Sequence, residues 1–117
     1  MKSKKPSKQR KYTHNAPLHV IRKLMSVRLS KDLKVKHSKR NFPVRKGDRI
    51  KVMVGQFKGQ LSKVDSINLR QKKVYLEETF ITKRDGNKVP IAFQPSNLMI
   101  MELNLEDKLR KKALDRK

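Results

Sequence analysis

Apolar residues change their spacing twice along this chain, and each spacing predicts a different kind of element. Up to Thr13 there is almost nothing apolar to space. Residues 1–14 therefore predict an extended arm that is disordered when free. From Asn15 a helical period begins. Leu18, Ile21 and Met25 recur at i, i+3 and i+7 with Leu24 alongside, while Arg22, Lys23 and Arg28 fall elsewhere on the wheel. Asn15 or Ala16 can cap this helix, and Pro17 suits its first turn, where a missing N–H costs nothing. Ser30 predicts the cap of a second short helix over Lys31–Lys36, with Asp32 favourably placed in its first turn. Neither helix is long enough to stand alone in water, so residues 15–43 need a surface to hold them.

From residue 44 the period drops to two. Ile50, Val52 and Val54 alternate with Arg49, Lys51 and Met53. Val74, Leu76 and Phe80 form a second inner row, opposite Tyr75, Thr79 and Ile81, with Glu78 breaking it. Asp85-Gly86 marks the turn of a hairpin over residues 80–93, because Gly accepts the positive φ that such a turn needs. Val89, Ile91 and Phe93 give its return strand. Pro90 confines that strand to a sheet edge, since it cannot donate to a ladder. Leu98, Ile100 and their neighbours through Leu103 make the last strand. About five short strands over residues 44–103 predict a small barrel. Residues 104–117 predict a final helix from Leu105, capped by Asn104, with Glu106 and Asp107 in its first turn and a thin stripe of Leu105, Leu109 and Ala113. The fold class is thus mainly β, with a basic amino-terminal arm, two short helices before the barrel and one after it.

Charge sharpens this division. The chain of 117 residues carries 32 Lys and Arg against 10 Asp and Glu, a net +22. Residues 1–46 hold 16 of the basic residues and a single acid, Asp32, for +15; residues 47–101 hold +5 and residues 102–117 hold +2. A one-signed block repels itself and marks an arm that contacts a polyanion, with nucleic acid the leading candidate. Lys4, Lys5, Lys8, Arg10 and Lys11 also fit a nuclear-import patch. Other classes fall away. No run of 18 apolar residues predicts a membrane span, and no apolar stretch near Met1 predicts a secretory signal. Without Cys there is no disulfide, thiol nucleophile or Cys-held zinc. His14, His19 and His37 lack metal-ligand spacing. Glu77 and Glu78 are adjacent, so in a strand they face opposite sides and cannot serve as a paired acid and base. No enzyme activity, cofactor, metal or small-molecule substrate is expected.

The stretch from Arg45 to Gly59 reads Arg45-Lys46-Gly47-Asp48-Arg49-Ile50-Lys51-Val52-Met53-Val54-Gly55-Gln56-Phe57-Lys58-Gly59. It is similar to a KOW motif: Gly-Asp, alternating apolars, then Gly-x-x-Lys-Gly. Gly55 and Gly59 bracket a tight loop whose backbone N–H groups could form an anion-binding concavity beside Lys58. Before it stand Asn15-Ala16-Pro17, Arg22-Lys23-Leu24-Met25-Ser26 and Leu29-Ser30-Lys31-Asp32-Leu33. After it come Gln94-Pro95-Ser96-Asn97-Leu98 and the tail from Arg110 to Lys117. Together, from Lys8 onward, these resemble the universal KOW-domain ribosomal protein family of the large subunit, numbered twenty-four in bacteria and twenty-six in eukaryotes, in its eukaryotic or archaeal form. One position departs: Ser62 stands where the pattern has a further Gly, and a positive φ there would strain it.

The resemblance implies an SH3-like barrel that binds large-subunit ribosomal RNA near the polypeptide exit tunnel and acts in subunit assembly. It implies neighbouring ribosomal proteins as partners, with targeting or translocation factors at the tunnel exit. The location implied is the cytoplasmic ribosome, with a nuclear or nucleolar assembly stage in a eukaryote. On this reading Lys2, Lys4, Lys5, Lys8, Arg10 and Lys11 thread between RNA helices. Tyr12, His14 and Phe57 stack on splayed bases, and His19 contacts the backbone. Arg22, Lys23, Arg28, Lys31, Arg45, Lys46, Arg70 and Lys72 pair with phosphates, joined by the loop residues Gln56, Lys58 and Gly59. Two rivals remain: a KOW protein-interaction module of a transcription elongation factor, and an architectural DNA-binding protein. The first is usually one of several domains in a longer chain, whereas arm, barrel and helix fill most of these 117 residues. The second predicts equal affinity for duplex DNA and ribosomal RNA.

Overall fold

The alternation that builds the sheet starts well before residue 44. The computed structural model describes residues 3–116 and opens with two helices, α1 (Pro6–Asn15) and α2 (Leu18–Leu24). Met25 closes α2, and Val27 and Leu29 then face inward from a four-residue strand, β1 (Ser26–Leu29), both fully buried. Helix α3 (Lys31–His37) follows, then β2 (Asn41–Pro43), which pairs antiparallel with β1. The sequence reading put only helices in this segment. Strands of three and four residues carry too few alternating positions to stand out beside a helical period, and their pairing is supplied from elsewhere. Leu29 donates its N–H to Arg40 O, and Ser30 to Ile100 O, at 3.0 and 2.9 Å.

The remaining strands are β3 (Arg49–Val52), β4 (Leu61–Asn68), β5 (Lys73–Thr82), β6 (Lys88–Phe93) and β7 (Leu98–Glu102), with a 3-10 turn over Pro95–Asn97. They form one seven-stranded sheet in the order β2-β1-β7-β3-β4-β5-β6. All neighbours are antiparallel except β1 and β7. This mixed sheet curls into a small barrel-like body, the mainly β class that the spacing predicts. Ile50 and Ile100 face each other across β3 and β7, both at zero exposure. Fully burying a side chain of that kind contributes about 1.5–3 kcal/mol. Val52, Val64, Val74 and Leu98 complete the centre, and Phe42, Val44 and Leu114 close its ends.

Three expected details shift. Val54 lies beyond the end of β3 and is exposed. In β5 the register changes between Tyr75 and Phe80, where Glu78 takes a φ of +61°. The extra residue rotates the strand, so Thr79 turns inward to donate its hydroxyl to Leu76 O at 3.0 Å, and Phe80 turns out. Phe80 instead carries the ammonium of Lys88 over its ring at 4.7 Å. The last helix, α4 (Lys108–Asp115), starts later than expected, with Asp107 rather than Asn104 as its cap. Its buried face is Arg110 and Leu114, and Leu109 is exposed.

Ser30 and Pro90 do what their chemistry predicts. The Ser30 hydroxyl accepts the Leu33 N–H at the start of α3, and Pro90 sits on β6 at the sheet edge. Ser62 lies in β4 opposite Ile50, buried, outside the positive-φ residues, with its hydroxyl donating to Glu77 O. It therefore costs no backbone strain.

The arm also differs. Residues expected to be extended form α1, opened by Pro6 and built of Lys, Gln and Arg, which lose little rotamer freedom in a helix. It buries none of its residues, and at ten residues it is shorter than an isolated helix needs in water. Among the described residues no helix is long and apolar enough to cross a membrane.

Candidate nucleic-acid interface

The Gly-Asp pair before β3 is built into the interior. Gly47 takes a φ of +85°, and a Cβ there would meet the Asn104 side chain at 3.0 Å. That turn drives Asp48 into the protein, where its carboxylate accepts from Arg45 N at 2.8 Å and Asn104 N at 3.0 Å. The Arg110 guanidinium closes the set with two parallel bonds of 2.6 Å. The two side chains are 0% and 2% exposed. Arg110 also donates to Asn104 O and Pro43 O and lies over the Phe42 ring. Sequence reasoning placed Arg110 in a basic tail. The signal that finds it is the spacing of the buried α4 face, Arg110, Ala113 and Leu114 at i, i+3 and i+4.

Ion pairing then separates structural cations from available ones. The described residues contain four salt bridges, and they engage Arg45, Lys46, Arg49 and Arg110. Arg45 is half-buried against Asp107, so its guanidinium is committed to the start of α4. Lys46 meets Asp65 at 3.5 Å with 75% and 54% of the side chains exposed, a pair that water screens and that leaves the ammonium usable. Lys58 at the loop, Arg22, Lys23, Arg28 and Lys31 around α2, β1 and α3, and Arg70 after β4 are exposed and outside these pairs. So are Lys4, Lys5, Lys8, Arg10 and Lys11 of the arm. Lys2 lies outside the described residues.

The loop between β3 and β4 is not an empty cradle. Lys58 N bonds Gly55 O, Gly59 N bonds Val52 O and Gln60 N bonds Phe57 O, at 3.1, 2.8 and 3.1 Å. Those three N–H groups close the loop on itself and are not offered to an anion, whereas the Lys58 and Gln56 side chains are exposed. Gly59, at φ +92°, is the residue that lets the loop close. Phe57 is not a free platform. Its ring packs edge-on against Phe93, centroids 6.2 Å apart at 86°, and anchors the loop to the core. Tyr12, by contrast, is exposed beside Lys8, Lys11 and Pro17 in an apolar cleft where α1 meets α2. His14 is exposed with Nδ1 at 3.0 Å from Asn15 Oδ1, His19 is exposed and His37 is half-buried. Among the described residues no group of His or acidic side chains is close enough to hold a metal ion.

Asp107 shows how the barrel end is held electrostatically. The Arg45 guanidinium, and after it the Leu109 N–H, hold its carboxyl below the usual carboxylate range, against a smaller opposing effect of burial. A lowered folded value stabilises the protein above the pH at which the unfolded carboxyl titrates. That stabilisation is lost as pH falls through the folded value. Thermal midpoints measured from neutral to acid pH should therefore fall less for Asp107→Asn than for the parent chain. Superimposable acid limbs would contradict this role.

Comparison with known proteins places the whole chain. The family model described as ribosomal proteins L26 of eukaryotes and L24P of archaea matches residues 3–117. A protein of Korarchaeum cryptofilum named large ribosomal subunit protein uL24 is 44% identical over 117 residues, all of this chain and 89% of that protein. A protein of the same name from Methanosphaera stadtmanae is 44% identical over 115 residues, 98% of both chains.

Proposed function

The chain belongs to the ribosomal protein family of eukaryotic L26 and archaeal L24P, and from that premise we propose that it is a structural constituent of the large ribosomal subunit that binds ribosomal RNA through its phosphate backbone. The observation that carries the RNA contact is the placement of charge. The acids of the barrel end are tied into ion pairs, while the cations of α1, α2, β1, α3 and the β3–β4 loop face solvent unpaired. Arg and Lys on such a surface read RNA by shape, gripping phosphates and leaving the base code unread. Tyr12 is the stacking residue of this surface, while Phe57 anchors the loop that carries Lys58 by packing on Phe93. The barrel supplies position, and residues 1–46 supply most of the net charge.

The finer reading follows from the family. The protein sits near the polypeptide exit tunnel, takes part early in subunit assembly and adjoins other ribosomal proteins, with targeting or translocation factors docking close by. Its place is the cytoplasmic ribosome, after a nucleolar stage in a eukaryotic cell. No catalytic step is assigned to it. Sedimentation of the native protein tests the proposal: at low salt it should co-migrate with large subunits. Recovery at the top of the gradient, or with small subunits, would refute it.

A further inference from the structure

We propose that the cleft between α1 and the β4–β5 turn is a phosphate site, in which one phosphodiester of ribosomal RNA bridges the arm to the barrel. This rests on the RNA-binding reading above and assigns that reading a specific place. The cleft has a volume of about 320 Å3. One wall is Gln9, Arg10, Thr13 and His14 of α1, and the other is Arg70 and Lys72 of the turn. No carboxylate lines it, and none of the four salt bridges of the described residues involves these cations.

Among the described residues no side-chain hydrogen bond or salt bridge joins the two walls. The side-chain hydrogen bonds made from α1 stay local: Gln9 Nε2 donates to Ser3 O, Thr13 donates to Gln9 O, and His14 pairs with Asn15. Since α1 also buries no residue, like charge faces like charge across the cleft with little burial of α1 to offset it. An anion between the walls converts that repulsion into attraction on both sides, with Arg10 and Arg70 able to grip it bidentately. Binding and ordering of the arm then become one event.

Lys72 supplies an independent sign. It adopts a φ of +54° in the turn that Lys72 N closes onto Leu69 O, and the Asn68 side-chain Oδ1 accepts from Gln71 N within it. An L side chain is strained there, and Gly would not be. A lysine at that position costs backbone energy and still lines the cleft.

The test uses the full chain and a large-subunit ribosomal RNA fragment, with affinity read by filter binding. Arg10→Gln and Arg70→Gln should each weaken binding about tenfold, as loss of a charge-assisted bond does. If one phosphate joins them, the double variant loses less than the product of the single losses. Losses that simply multiply would mean separate phosphates and overturn the proposal. Lys72→Gly should weaken binding while leaving the thermal midpoint unchanged or higher; a lower midpoint with binding intact would make Lys72 a packing residue and overturn it too. Backbone amide signals of Gln9–His14 and Arg70–Lys72 should move together as RNA is added. Saturation of those signals by inorganic phosphate, with no response to RNA, would give the cleft to the free anion instead. A parent chain that binds no RNA sinks the underlying reading, whereas intact binding with multiplying losses sinks only the bridge.

Discussion

Asp48→Ala should unfold the barrel under conditions where the parent chain is stable. The Asp48 carboxylate accepts four hydrogen bonds, from Arg45 N, Asn104 N and both terminal nitrogens of Arg110, at essentially zero exposure. Its removal strands a buried guanidinium and two backbone N–H groups at once. Breaking a buried pair from one side costs about 3–5 kcal/mol, set against a total of roughly 5–15 kcal/mol for an ordinary domain. A domain this small and this positive sits toward the lower end of that range. The melting temperature should fall by more than ~10 °C. Arg110→Met should be milder, because the two backbone donors keep their acceptor and the methionine packs on Phe42. The ordering matters as much as the size. If Asp48→Ala melted within a degree or two of the parent, the pair would be a surface contact and the reading of the Gly47-Asp48 turn would fail.

The residues involved explain what the sequence discloses and what it withholds. Helix α3 was legible because its cap is local: Ser30 and Asp32 lie within its own first turn. The 80–93 hairpin was legible because Asp85-Gly86 and Pro90 each restrict the backbone where they stand. Strands β1 and β2 are hidden, since β1 takes its second ladder partner across the chain at β7 and β2 pairs with β1 alone. Arg110 does not stand out in the sequence for the same reason. A basic residue in a basic tail looks solvated until the carboxylate 62 positions away is placed beside it. In the site, the excess of charge was legible and its distribution was not. Sequence alone ranks Arg45 with Arg70, yet Arg45 is held by Asp107 and Arg70 by nothing among the described residues. Phe57 belongs to the core through Phe93, a contact that spacing does not encode.

The second large effect is the response of binding to salt. Each phosphate neutralised by Lys or Arg releases counterions, so affinity falls steeply as salt competes. The unpaired cations of α1, α2, β1, α3 and the loop are enough to cover about 6–10 phosphates, for which the expected loss is roughly 10³–10⁵ between 50 and 200 mM salt. Replacing exposed Lys58 with Gln should reduce the slope by about one phosphate's worth. The same change at Arg45 should act mainly on stability, because that side chain is already paired with Asp107.

The most direct measurement is a filter-binding titration of the full chain against large-subunit ribosomal RNA across that salt range, with duplex DNA of equal length as competitor. A backbone-binding ribosomal protein gives the steep loss and keeps its preference for the folded RNA at every salt concentration. A flat salt response, or DNA that competes on equal terms, would contradict it.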